Sequence, residues 1–164
     1  MSGGQPLSDA ARRVQEFLDA RGLRLEVVEL PGSTRTAAEA AQVVGCEVAQ
    51  IAKSLIFRGE TSDDPVLVVA SGVNRVDLKR VAALLGEPVG KADAAFVREH
   101  TGFTIGGIPP AGHLTPLTTL VDEDLLALPV IWAAAGTPHA VFQLTPGDLL
   151  RLSNGPAVCV KVEE

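Results

Sequence analysis

The sequence has few of the residues that build metal and disulfide sites. Of its 164 residues, two are cysteine and three are histidine. Cys46 and Cys159 lie far apart, and no histidine or cysteine pair has the HxxxH or CxxC spacing of zinc ligands. We therefore expect no metal, no other cofactor and no disulfide framework, and a reducing, cytoplasmic setting.

Long apolar runs are also missing. Charges, glycines or prolines interrupt each apolar stretch before it reaches the about 18–20 residues that span a membrane. Segment 1–6 is short and polar, without the apolar core of a secretion signal. We expect a flexible N-terminus at 1–6, one domain over 7–164 and no membrane partner.

Positive charge is scarce. Fourteen lysines and arginines face 20 aspartates and glutamates, giving a net charge of −6. This balance weighs against non-specific duplex binding, which relies on many cation–phosphate contacts. Ten of the cations are arginines, and the planar guanidinium of arginine binds phosphate through two hydrogen bonds. A small basic patch therefore remains compatible with the composition.

The familiar nucleotide-binding and hydrolase motifs do not occur. The chain has no GxGxxG segment, no phosphate-binding P-loop and no GxSxG elbow. Nucleotide binding through those motifs and a serine nucleophile of that type are therefore not supported.

The pattern of apolar residues predicts an α+β domain. Helices are predicted at 8–22, 36–45, 77–85, 93–100 and 145–152, and a short helical turn at 123–128. Strands are predicted at 23–30, 51–58, 65–71, 118–121, 130–135, 140–144 and 157–162. Because these elements mix without strict βαβ alternation, a mixed sheet is favoured over a doubly wound fold.

Lys53 is the most unusual residue of the predicted strands. Alternation places it on one face of its strand with Ile51, Leu55 and Phe57, the more apolar face, which we expect to be buried. A buried ammonium is costly unless it meets an anion or acceptors, so Lys53 is a candidate site residue. The alternative is that its stem packs inside while the ammonium reaches water.

A glycine- and proline-rich segment at 106–113 is the second candidate. Gly106 and Gly107 allow a close backbone approach, and Pro109 and Pro110 stiffen the chain that follows. Such a loop suits backbone recognition of a small polar ligand, although an ordinary surface turn has the same composition. His113 could act as an acid or base near neutral pH, but nothing in the sequence pairs it with a nucleophile.

Several segments together resemble the YbaK/prolyl-tRNA-synthetase-associated domain family. They are 36–45, QIAKSL at 50–55, 102–113 with GGIPPAG, and GTP at 136–138, and the resemblance extends over about residues 30–162. It implies a mixed or barrel-like β core flanked by helices. It also implies trans-editing, the hydrolysis of the ester of mischarged tRNA, often proline tRNA that carries cysteine or alanine.

The resemblance also implies roles for particular residues. Lys53 matches the near-invariant family lysine and is the expected catalytic residue. The expected substrate-binding residues are Gly106, Gly107, Ile108, Pro109, Pro110, Gly112, His113, Gly136 and Thr137. Pro109 stands where many members have serine or threonine, which removes a hydroxyl and an N–H.

In such enzymes the lysine and the backbone N–H groups of the loop would stabilise developing negative charge. The nucleophile would be water assisted by the 2′-OH of the tRNA, or the thiol of a cysteinyl substrate. The implied partners are the acceptor end of tRNA and a synthetase. The rival hypothesis is a non-catalytic module that binds tRNA or a small ligand and docks on a synthetase.

Overall fold

A computed structural model of the chain describes residues 7–163. The predicted flexible segment 1–6 lies outside these residues. Five α-helices occur in the described part: α1 (Asp9–Ala20), α2 (Ala37–Val44), α3 (Leu78–Leu85), α4 (Ala94–Thr101) and α5 (Pro146–Ser153). Eight strands accompany them: β1 (Val27–Glu29), β2 (Ile51–Gly59), β3 (Pro65–Ser71), β4 (Val89–Lys91), β5 (Thr118–Asp122), β6 (Ile131–Ala134), β7 (Ala140–Leu144) and β8 (Ala157–Val158).

The eight strands form one mixed sheet. Its order is β1-β7-β6-β2-β3-β5-β8, and β4 pairs with β2 outside this path. The pairs β2–β6, β3–β5 and β5–β8 are parallel, whereas β1–β7, β6–β7, β2–β3 and β2–β4 are antiparallel. The α+β class with a mixed sheet is thus confirmed.

Local sequence signals set the ends of the helices. At the start of α2 the Thr36 hydroxyl accepts from the Glu39 amide while the Glu39 side chain accepts from the Thr36 amide. This reciprocal pair satisfies two amides that have no partner within a helix. Gly45 then ends α2 in the left-handed conformation, φ +78°, which glycine adopts at little cost. No helix in the described range is both long and apolar enough to cross a bilayer.

Helices cover both faces of the sheet. On one face α1, α4 and α5 bury the largest apolar cluster, which includes Ala52 and Ile56 of β2 and Leu67 and Val69 of β3. On the other face, α3 covers a smaller cluster with Val68 of β3. The third cluster lies under α2. Burial on both faces explains why β3 is a continuous apolar run.

The prediction for the Lys53 face of β2 needs correction. The face with Ala52 and Ile56 contacts the largest cluster, whereas Ile51 and Phe57 each pack against one of the two smaller ones. Lys53 lies between those smaller clusters and is half-buried. Comparing how apolar the two faces of β2 are was misleading, because the face that packs on the main core carries small side chains such as Ala52.

Two strand predictions are longer than the strands of the structure, and one strand was not predicted. The predicted strand 23–30 narrows to β1, because its strand pairing with β7 covers residues 27–29. The predicted strand 157–162 pairs with β5 only at Ala157 and Val158, after which Lys161 bridges to Val76. Strand β4 was not predicted, because Gly90 at its centre carries no β signal and its pairing with Arg58 decides its conformation.

Candidate functional site

The sheet has a gap along one edge of β2. Strand β6 pairs with the start of β2 at Ile51 and Ala52, and β4 pairs with its end from Phe57 to Gly59. Between these stretches, residues 53–56 pair with β3 on one side. On the other side no strand from the described range 7–163 is paired with them.

A cavity of about 410 Å³ opens at this gap. Its lining comes from the start of α2 and the segment before it, from α4 and the glycine-rich loop, and from β2, β6 and β7. The lining is largely apolar and comprises residues 34–37, 40, 51–57, 92, 97, 105, 106, 108, 132–134 and 141. A concave, mostly apolar site with a few polar groups is typical of small-ligand binding.

Lys53 lies at the first position of the gap and lines the cavity. Burial lowers the pKa of the Lys53 ammonium from its ordinary value, and the negative charge of Asp122 opposes this effect. Within residues 7–163, no carboxylate lies within 4.0 Å of the ammonium. The cation therefore stands in a cavity with its hydrogen bonds available to a ligand.

The predicted glycine-rich loop reaches the same cavity through Gly106 and Ile108. Gly106 has φ +101°, a backbone conformation that side chains disfavour, and a Cβ there would lie 3.0 Å from Cγ of Arg35. Glycine at this position therefore lets the loop pack directly against the side chain of Arg35. Ile108 is buried and contributes apolar surface.

The other predicted residues of the loop lie behind the cavity wall. Pro109 and Pro110 are buried, and Gly112 packs on the ring of Phe17. Gly107 lies so close to Thr137 that a Cβ would come within 2.7 Å of three Thr137 backbone atoms.

Gly136 belongs to the same contact, since its amide donates to the carbonyl of Gly107 at 2.8 Å. Neither Gly136 nor Thr137 lines the cavity. The arrangement brings Lys53, Gly106 and Ile108 to the ligand space and makes the other predicted residues its support.

His113 supports the loop from within. Its Nε2 lies 2.8 Å from the carbonyl oxygen of Pro109. Because a carbonyl only accepts, Nε2 carries the proton. Burial lowers the pKa of His113, and the hydrogen bond to Pro109 opposes that shift. The imidazole thus holds the loop and does not line the cavity.

Thr34, Arg35 and Ser54 are polar lining residues that were not predicted from the sequence. Thr34 and Ser54 both line the cavity, and their hydroxyl oxygens are buried without a hydrogen-bond partner in the described part of the chain. Arg35 is exposed and lines it as well. Serine, threonine and arginine are ordinary in such segments, so only their place in the fold distinguishes them.

Both charged residues in the lining are cations. Lys53 and Arg35 carry positive charge, and among residues 7–163 no aspartate or glutamate lines this cavity. A cavity with one sign of charge and apolar walls attracts anionic groups and developing negative charge.

The cysteines and histidines lie outside the cavity lining. Cys46 and Cys159 are free thiols, and burial raises the pKa of Cys46. Residues 7–163 contain no group of three histidine, cysteine or acidic side chains placed to hold a metal ion. Neither cysteine lines the cavity.

Comparison with known proteins gives a consistent picture. Residues 32–152 match the model of the aminoacyl-tRNA editing domain. The chain is 53% identical to a solved structure provisionally described as a trans-editing enzyme for prolyl-tRNA synthetase, with a TM-score of 0.91 over 96% of this chain and 100% of that one.

Two bacterial proteins are similar in sequence. The uncharacterized protein YwhH of Bacillus subtilis is 33% identical over 78% of this chain and 81% of its own length. A protein of Enterococcus faecalis, provisionally named Cys-tRNA(Pro)/Cys-tRNA(Cys) deacylase EbsC, is 28% identical over 79% of each. The chain therefore belongs to the aminoacyl-tRNA editing domain family, and as an editing enzyme it is an aminoacyl-tRNA deacylase.

Proposed function

We propose that this deacylase acts in trans on mischarged proline tRNA, hydrolysing the ester of its cysteinyl or alanyl form. The observation that carries the proposal is the Lys53 ammonium, which has no carboxylate partner within residues 7–163 and lies in a largely apolar cavity. The relatives described above as prolyl-tRNA trans-editing and Cys-tRNA(Pro) deacylase proteins support the choice of substrate.

The cavity suits a small aminoacyl group with part of the terminal ribose. Its volume of about 410 Å³ lies within the usual range for small-ligand sites. Ala133, Ala134 and Val141 offer apolar contacts where β6 and β7 line the cavity. Alanine and cysteine side chains are small enough to be buried against such a surface.

Lys53 would stabilise the negative charge that develops on the ester carbonyl oxygen when water attacks. A cation fixed in a water-poor cavity stabilises that charge more strongly than it would in water. Gly106 exposes backbone beside the same space, where an N–H could share the role.

The substrate would supply the activation of the nucleophile. No histidine or cysteine lines the cavity, and Ser54 has no base beside its hydroxyl in the described part of the chain. An aminoacyl ester carries a neighbouring ribose 2′-OH, and a cysteinyl ester also carries a thiol. The 2′-OH could position the attacking water, whereas the thiol could displace the ribose oxygen and form a thiolactone that water then opens to free cysteine. The protein would therefore need only to bind the substrate and polarise its carbonyl group.

Arg35 would meet the acceptor end of the tRNA at the mouth of the cavity. It is exposed and lies beside the space that the terminal nucleotide would occupy. An arginine can donate two hydrogen bonds to a phosphate or stack on an unpaired base. We further propose that the protein works in the cytoplasm beside prolyl-tRNA synthetase.

Single-turnover hydrolysis of a panel of mischarged tRNAs tests this function. Lys53→Met keeps the apolar stem and removes the cation, and it should slow the best substrate about 10²–10³-fold. Lys79→Met is the matched control, because Lys79 is exposed on α3 and does not line the cavity. A wild-type rate for Lys53→Met would refute the role of the lysine. Tight binding of every tRNA without hydrolysis would instead establish the non-catalytic module.

A further inference from the structure

The direction of the backbone groups along β2 can be read from its pairing. The amide of Gly72 donates to the carbonyl oxygen of Ile51 at 2.7 Å, so the backbone polar groups of Ile51 point toward β3. In an antiparallel strand, successive residues turn these groups to opposite edges. The groups of Ala52, Ser54, Ile56 and Arg58 therefore point to the other edge.

Two of these four residues have no strand opposite them. Ala52 faces β6 and Arg58 faces β4. Ser54 and Ile56 lie between those pairings, where no strand of the described part of the chain is paired. Their N–H and C=O groups therefore border the cavity, whose lining includes both residues. Unpaired backbone groups at a buried edge are costly unless something binds to them.

Two hydroxyls add to this set of unpartnered polar atoms. Oγ of Ser54 and Oγ1 of Thr34 are buried without a partner within residues 7–163, and Thr34 is only 5% exposed. Both residues line the same cavity. A hydroxyl can donate and accept at once, so it can bind an amino group as an acceptor.

We propose that the open edge of β2 is the subsite for the free α-amino group of the aminoacyl ester, which lies along β2 like a one-residue strand. The two N–H groups of the α-amino group donate to the carbonyl oxygen of Ser54 and to the hydroxyl of Thr34, and its lone pair accepts from the hydroxyl of Ser54. The inference rests on the proposed function and extends it, because it restricts the substrates to esters with an unmodified α-amino group.

The charge of the cavity is compatible with an amine there. Lys53 and Arg35 already place two cations in the lining. An α-amino group titrates at about 7.7–8.0, so part of it is neutral near pH 8 and donates two N–H groups without adding a third cation. Hydrogen bonding of a peptide-like group to an open strand edge is an established mode of recognition.

Substrates without a free α-amino group provide the first test. Alanyl-tRNA and N-acetylalanyl-tRNA are compared in single-turnover hydrolysis, and acetylation should slow the reaction about tenfold or more, the loss expected for one or more hydrogen bonds. Equal rates would overturn the subsite while leaving the deacylase function intact.

A binding measurement separates the subsite from catalysis. The probes are 3′-alanylamino-3′-deoxyadenosine, in which a stable amide replaces the ester, and its N-acetyl derivative. Their affinities are measured by calorimetry at pH 8. The free amine should bind about tenfold more tightly. Equal affinities of the two probes would overturn the amino-group subsite, whether or not any tRNA is hydrolysed. Absence of hydrolysis on every tRNA would overturn only the proposed function.

Hydroxyl deletions locate the subsite. Thr34→Val and Ser54→Ala should each weaken binding of the free amine about tenfold and leave binding of the N-acetyl derivative within about twofold. Thr118→Val is the matched control, since Thr118 is exposed on β5 and away from the cavity lining. Equal weakening of both probes would show that the hydroxyls only maintain the wall and would overturn their assigned role.

Discussion

Alanine at position 107 would test how the cavity loop is held in place. An added Cβ at Gly107 would lie 2.7 Å from the N, Cα and C atoms of Thr137. Carbon atoms pack at about 3.5–4.0 Å, so the two segments would have to separate by roughly 1 Å. Thr137 resists such a shift, because its carbonyl accepts from Ala140 and its hydroxyl accepts from the His139 amide.

Two losses follow from this displacement. Overpacking should lower the free energy of unfolding by about 1–3 kcal/mol. Gly106 and Ile108 would move with the loop that lines the cavity, and a misplacement of about 1 Å can cost a hundredfold in rate. Urea unfolding measures the first effect, and single-turnover deacylation below the unfolding transition measures the second.

Gly86→Ala is the control for destabilisation alone. Gly86 ends α3 with φ +79°, and a Cβ there would meet no atom within 4 Å. Left-handed strain should lower the free energy of unfolding by about 1–2 kcal/mol without moving the cavity loop. If both alanine variants lose the same fraction of activity, or if Gly107→Ala keeps the wild-type rate, then the position of the loop does not govern catalysis.

Three further outcomes are expected. Cleavage should slow strongly on alanyl-tRNA that ends in 2′-deoxyadenosine, while His113→Gln loses little. Normal cleavage of that substrate together with an inactive His113→Gln would mean that the enzyme supplies its own base. Chelator, or the double change Cys46→Ser and Cys159→Ser, should leave the rate on alanyl-tRNA unchanged, since neither thiol lines the cavity, and a large loss with chelator would indicate a metallohydrolase. Because burial lowers the pKa of His113, the unfolded chain binds more protons than the folded chain just below about pH 6.5. The contribution of His113 to the free energy of unfolding should therefore be fully present above that pH and should fall as the pH drops through the lowered pKa. His113→Gln should flatten this dependence in urea titrations, and parallel curves for the two proteins would contradict the assignment.

The sequence was informative where a local rule decides the structure. The pairing of Thr36 with Glu39 and the glycine at Gly45 fix the two ends of α2. Lys53 and the Gly106 loop were detectable because a lysine within an apolar strand and adjacent glycines before two prolines are unusual combinations. Both reach one cavity.

The gap in the sheet could not be predicted in the same way. It exists because β6 and β4, both distant in sequence, pair with the two ends of β2 and leave its centre open. Strand pairing of this kind depends on the whole fold. For the same reason nothing local singled out Thr34 or Ser54, whose significance comes from buried hydroxyls without partners among the described residues.

The pairing of Ile51 with Trp132 has a consequence for the folding of the enzyme. This contact joins segments far apart along the chain, and ordering such a long intervening loop has an entropic cost that local contacts do not have. The part of the cavity that β6 lines therefore forms only after the second half of the chain has joined β2. During refolding from urea, we expect helical circular dichroism to return before deacylation activity.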